Sequence, residues 1–187
     1  MNYNPEIHHR QSIRLRNYDY SETGAYFVTI VTQSRLCMFG DVAGGNLCLN
    51  DRGAMISDAW QNLSLRFPNI ELDAFVLMPN HIHGIIVIEK ALPTDGRDPD
   101  GAGTRPAPTT LGNIVGAFKS ITTDMYIDGV KRSGWPGFPG KLWQRNYYEH
   151  VIRDEKDLSA IREYIVNNPD LWEEDTENPS APSQKVP

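Results

Sequence analysis

The sequence predicts an α+β fold, an antiparallel sheet with helices packed on one face. Three observations predict it. Runs rich in β-branched and aromatic residues recur at 25–32, 70–78 and 82–88, and apolar residues at helical spacing fill the stretches after 50, after 110 and after 154. Their order is strand, helix, strand, strand, helix, strand and a last helix, which is the split βαβ pattern. The 187 residues suit one domain with extensions. A 40% hydrophobic and 22% charged composition excludes a disordered or fibrous chain.

Residues 1–20 read as a basic arm on the domain surface, carrying Arg10, Arg14 and Arg16. Ala25 to Thr32 follows the turn signal Glu22-Thr23-Gly24 and has the composition of a buried strand. Residues 36–39 and 46–49, separated by Gly40, Gly44 and Gly45, suggest a small hairpin. Between Asn50 and Arg66, Met55, Ile56, Ala59, Trp60 and Leu63 recur at helical spacing behind an Asn50/Asp51 cap, and Pro68 ends the helix. The runs 70–78 and 82–88, broken by Pro79-Asn80, should be antiparallel neighbours. The stretch 91–108 holds five charges among Pro, Gly and Thr, and reads as a mobile insertion. A helix with Leu111, Ile114, Val115 and Phe118 on its apolar side should extend to about Ile127. A Gly/Pro-rich turn at 134–140 leads to a strand-like stretch at 142–152, and a last helix starts at the cap candidate Asp154.

No apolar run approaches the roughly 20 residues of a membrane-spanning helix, and residues 1–6 lack the basic start and apolar core of a secretory signal. The expected location is the cytoplasm, where Cys37 and Cys48 would be free thiols. A net charge of −6 is unfavourable for gripping a phosphate backbone. Four of the negative charges, however, lie in the tail at 173–177, while Lys141, Arg145 and Arg153 join the arm's arginines as basic stretches.

Alternation along a strand puts His81 and His83 on one side and Ile82 on the other, toward the helix-covered core. Such a pair can hold a cation without disturbing packing, although two surface histidines would look the same. On the last helix Leu158, Ile161, Ile165 and Trp172 are expected to make the buried stripe. Tyr164 lies at the stripe's margin, one turn before Asn168 on the same face. Spacing alone also fits ordinary amphipathic packing. A phenol with a pKa near 10 needs a nearby positive charge to act as a nucleophile. Two neutral imidazoles and an Asn carbonyl form a mixed N/O set that suits Mg²⁺ or Mn²⁺, the histidines favouring Mn²⁺. Residues 142–153 interleave aromatic and basic side chains, as unpaired bases require. Trp143, Gln144, Arg145, Tyr147, Tyr148 and Arg153 are therefore candidate DNA contacts, although an ordinary amphipathic edge strand would look the same, and His150 is a further candidate ligand.

Three motifs in order, Met78-Pro79-Asn80-His81-Ile82-His83-Gly84, the stretch 142–153, and Tyr164-Ile165-Val166-Asn167-Asn168-Pro169, closely resemble the REP-associated tyrosine transposases. These are relatives of the small single-tyrosine HUH transposases of bacterial insertion sequences, and the resemblance spans about residues 20 to 172. It implies a ferredoxin-like HUH endonuclease domain over 21–172, followed by an acidic disordered tail at 173–187. It further implies cleavage of single-stranded DNA near hairpin-forming palindromic repeats, leaving a 5′-phosphotyrosine and a free 3′-hydroxyl. Tyr164 then matches the nucleophile, His81 and His83 the paired histidines, and Asn168 the residue completing coordination of Mg²⁺ or Mn²⁺. A monomer and a homodimer are both compatible with it, as is association with the nucleoid. The competing expectations are a non-catalytic binding module of the same fold, and a phosphodiesterase using activated water.

Overall fold

The computed structural model describes residues 22–90 and 109–181. Arg10, Arg14 and Arg16 and the insertion expected at 91–108 lie outside the described residues. Strand β1 (Gly24–Val31) is followed by the small hairpin β2 (Gly40–Ala43) and β3 (Asn46–Leu49), then helix α1 (Asp51–Gln61) and a short helix α2 (Leu63–Arg66). Strands β4 (Ile70–Leu77) and β5 (His81–Ile88), helix α3 (Leu111–Ser133), strand β6 (Tyr148–Ile152) and helix α4 (Glu155–Asn167) complete the order. The main sheet runs β4-β5-β1-β6 with every pair antiparallel, so β1 sits between two strands distant in sequence. No described helix is long and apolar enough to cross a membrane.

The period of two along each central strand sorts side chains onto two faces. The inner face carries Tyr26, Val28, Ile30, Ile82, Ile86 and Ile88, which pack with Ile56 and Trp60 of α1 and with Leu111, Ile114, Val115 and Phe118 of α3. Full burial of one such aliphatic side chain stabilises the fold by roughly 1.5–3 kcal/mol. Gly84 leaves room for the Trp60 ring, since a Cβ there would lie 2.4 Å from it. The helices are capped as their sequences suggest. Asn50 accepts from the Arg52 and Gly53 amides, Thr110 from Asn113, and Asp154 from Asp157.

Four expectations are corrected. The hairpin's first arm is Gly40–Ala43 rather than 36–39, because the Met38 and Phe39 amides donate to Pro79 O instead. The helix expected over 50–66 breaks at Asn62, whose ψ of 1° divides α1 from α2. Helix α3 runs past Ile127 to Ser133, because Gly129 there accommodates the Trp135 ring and Gly134 (φ 68°) supplies the left-handed cap. Only 148–152 of the stretch 142–152 is strand; Leu142 to Gln144 before it meet the end of β1 and the residues after it through the Thr32–Trp143 bridge and backbone hydrogen bonds with Val31 and Gln33. Helix α4 covers part of the sheet's outer face. Ile165 of α4 packs there against Phe27 and Ile85, with Leu158 and Ile161 alongside.

Candidate metal and nucleophile site

The antiparallel register places His83 opposite Thr29 and His81 opposite Val31. Both imidazoles therefore lie on the outer face, while Ile82 enters the core fully buried. Each ring is oriented by a hydrogen bond on its Nδ1. Asn80 Nδ2 donates to the carbonyls of Arg35 (3.0 Å) and Glu177 (2.7 Å). That leaves Asn80 Oδ1, an acceptor only, facing His81 Nδ1 at 2.8 Å. His81 Nδ1 must then carry the proton, and Nε2 of the neutral ring is a bare lone pair. His83 Nδ1 meets the Thr29 hydroxyl at 2.9 Å, which turns its Nε2 toward His81 Nε2, 3.0 Å away.

Burial pushes both imidazoles down to about 3; an Asn168 contact partly offsets this for His81, whereas for His83 the neighbouring His81 adds to it and Asp175 opposes it. Both are consequently neutral near pH 7, the state in which imidazole binds metal.

Helix α4 brings Tyr164 to the pair, its Oη 3.2 Å from His83 Nε2 and its ring edge-on to Phe27. The side chain remains 43% exposed, so a substrate can reach it. Burial and the Asp175 carboxylate raise the phenol's pKa, with Asn168 opposing them and Glu177 adding to them. Asn168, the C-cap of α4, is buried, and its Oδ1 has no hydrogen-bond partner among the described residues.

A further group completes the cluster. The chain turns after α4 through a 3-10 turn at Trp172–Glu174, and the Trp172 ring lies 6.1 Å from that of His81. Asp175 then directs Oδ2 to within 3.7 Å of His81 Nε2, with its side chain only 6% exposed. Ligand atoms of His81, His83 and Asp175 all lie within 4.8 Å of one another. Two imidazole nitrogens, a carboxylate and an orphaned amide oxygen are lone-pair donors gathered in one place. Such a set fits a divalent metal ion.

No family model matches the chain. An uncharacterized Haemophilus influenzae protein is 43% identical over 179 residues, covering 92% of this chain and 95% of that protein. The chain belongs to one family with it. A second Haemophilus influenzae protein, named as a REP-associated tyrosine transposase, is 27% identical over 158 residues, 83% of this chain and 76% of that protein. Among solved structures, a REP-associated tyrosine transposase bound to a REP hairpin shares the fold with a TM-score of 0.51 at 20% identity, covering 83% of this chain and 72% of that one. The chain resembles the REP-associated tyrosine transposases.

The structure brings His81, His83, Tyr164 and Asn168 together, and disperses the expected DNA contacts. Trp143 is a core residue, 5% exposed, donating Nε1–H to Thr122 Oγ1 and packing on Phe39 and Phe118. It cannot stack on a base without leaving the core, which corrects that expectation. Gln144 bonds to β1 through Val31 O and Thr32 O, and Tyr147 lies under the Lys119 ammonium. Tyr148 is 52% exposed on the outer face, edge-on to Phe27, while Arg145 and Arg153 are exposed. His150 is not among the clustered ligands; it pairs with Asp157 at 2.8 Å. The disordered tail expected from 173 onward is corrected for 173–181, where Glu177 accepts from Arg35 Nε and the Glu177 carbonyl from Asn80. Asn80, Thr29 and Asp175 were missed. Thr29 follows from alternation once β1 and β5 are paired, but nothing in an acidic tail singles out Asp175.

Proposed function

We propose that the chain is a metal-dependent single-stranded DNA endonuclease and strand transferase, a transposase acting on hairpin-forming repeat DNA. The observation that carries this reading is the half-exposed Tyr164, whose Oη lies 3.2 Å from one of two neutral, oriented histidines. Tyr164 Oη attacks the phosphorus of a DNA phosphodiester and the 3′-oxygen leaves, taking up the proton the phenol gives away. One P–O bond forms as one breaks, so the 5′-phosphotyrosine retains the energy needed for rejoining. A divalent ion, Mg²⁺ or more favourably Mn²⁺, would be held by His81, His83 and Asn168, stabilising charge on the phosphate and favouring phenolate. Such help is needed, because burial and Asp175 hold the phenol in its neutral form. The exposed Tyr148, Arg145 and Arg153 would stack on or neutralise the strand, in a catalytic domain assigned to residues 21–172.

The hairpin-bound relative supports a hairpin partner. A labelled hairpin oligonucleotide with Mn²⁺ should yield a protein–DNA adduct that EDTA and Tyr164→Phe both abolish. An adduct surviving Tyr164→Phe would move the nucleophile to Tyr148. Acidic side chains beside the phenol favour a second reading, a hairpin-binding module that does not cut. It predicts chelator-indifferent binding and no adduct.

A further inference from the structure

The proposed reaction leaves one buried group at the site without a task. Asp175 lies eight residues after the end of α4, carries a negative charge, and is nearly inaccessible to water. Burying a carboxylate costs several kcal/mol unless a cation or several donors compensate. Its Oδ1 accepts from the Glu177 amide at 2.6 Å, whereas Oδ2 points at His81 Nε2 from 3.7 Å, beyond hydrogen-bond reach. That nitrogen has no proton to offer, since Asn80 fixes the His81 hydrogen on Nδ1. Beside it, the buried Asn168 Oδ1 likewise has no donor among the described residues.

From this arrangement we infer that Asp175 is an anionic ligand of the divalent cation held by His81 and His83. The inference rests on the metal reading of the proposed function and adds a ligand from the segment beyond α4. A cation here satisfies the His81 Nε2 lone pair, the Asp175 Oδ2 charge and the Asn168 carbonyl together. One carboxylate also lowers the site's charge from +2 to +1 and shifts its preference toward hard ions such as Mn²⁺. The segment is held ready for that role at both sides of Asp175, by Trp172 against His81 and by Glu177 on Arg35 and Asn80.

The test is Mn²⁺ binding to the full chain without DNA, by calorimetry and by water-proton relaxation of the bound ion. Asp175→Asn should weaken Mn²⁺ by about tenfold or more, a loss typical even of partners outside the coordination shell. Relaxivity of the ion that still binds should rise, because water takes the vacated position. Glu173→Gln, which removes a neighbouring exposed charge, should alter neither. Wild-type affinity and relaxivity in Asp175→Asn would overturn the assignment, as would an equal loss in Glu173→Gln. Should Asp175→Asn fail to fold, Asp175→Ser carries the same expectation. His83→Ala separates the two ideas, because undiminished Mn²⁺ binding there would sink the metal reading itself.

Discussion

The two faces of the central sheet are built from alternate residues of the same strands, and they do opposite work. On the inner face Ile82, Val28 and Ile86 meet α1 and α3 in a closed apolar core. On the outer face their immediate neighbours His81, His83 and Thr29 meet Asn168 and Asp175 in a polar cluster that is almost as deeply buried, with the half-exposed Tyr164 at its edge. The inner face stabilises by removing apolar surface from water, while the outer face spends part of that stability holding desolvated lone pairs in register.

Substitutions on the two faces should therefore separate chemistry from folding. The largest effect expected is from Tyr164→Phe, which should lower adduct formation by more than about 10³-fold while leaving the thermal midpoint nearly unchanged. Ile82→Ala, one residue from either histidine, should cost about 2–5 kcal/mol in denaturant unfolding. Activity would be lost there only in step with the folded fraction. Acid should find the outer face next. Both histidines are held down to about 3 against 6.5, so between those values the unfolded chain binds more protons, and stability falls as pH drops through that window. At pH 5 the metal-free protein should be less stable than at pH 7.5 by about 2 kcal/mol per imidazole. A curve flat from pH 7.5 to 5 would show that the rings are not buried neutral. Asn80→Ala frees the His81 ring and should weaken Mn²⁺ about 10–100-fold in a calorimetric titration. Arg35→Ala breaks an ion pair whose arginine is half exposed, and should change stability by only about 0.2–1 kcal/mol.

The same contrast explains what the sequence could disclose. Inner-face elements advertise themselves through period and composition, so β1, β4, β5 and the helix starts at Asn50, Thr110 and Asp154 were readable. The His81/His83 alternation and the Tyr164/Asn168 spacing were readable too, because each lies within one regular element. Trp143 misled because an aromatic beside an arginine looks alike on DNA and in a core; only the Thr122 hydroxyl and the Phe39 and Phe118 rings decide. Asn80 looked like turn chemistry, and its two carbonyl acceptors come from residues 45 positions before it and 97 after it. Asp175 was hidden by its neighbours. Four acidic residues close together read as solvated charge, and no local pattern tells that one of them is folded inward.

The register of β5 has a consequence for how this chain can change over generations. Because β5 serves both faces with a repeat of two, a slip of the strand by one residue would send the imidazoles into the core and isoleucines into the site. Register in β5 is thus all-or-nothing. A lineage could drift freely in its exposed residues, yet a slipped β5 would cost it fold and chemistry together.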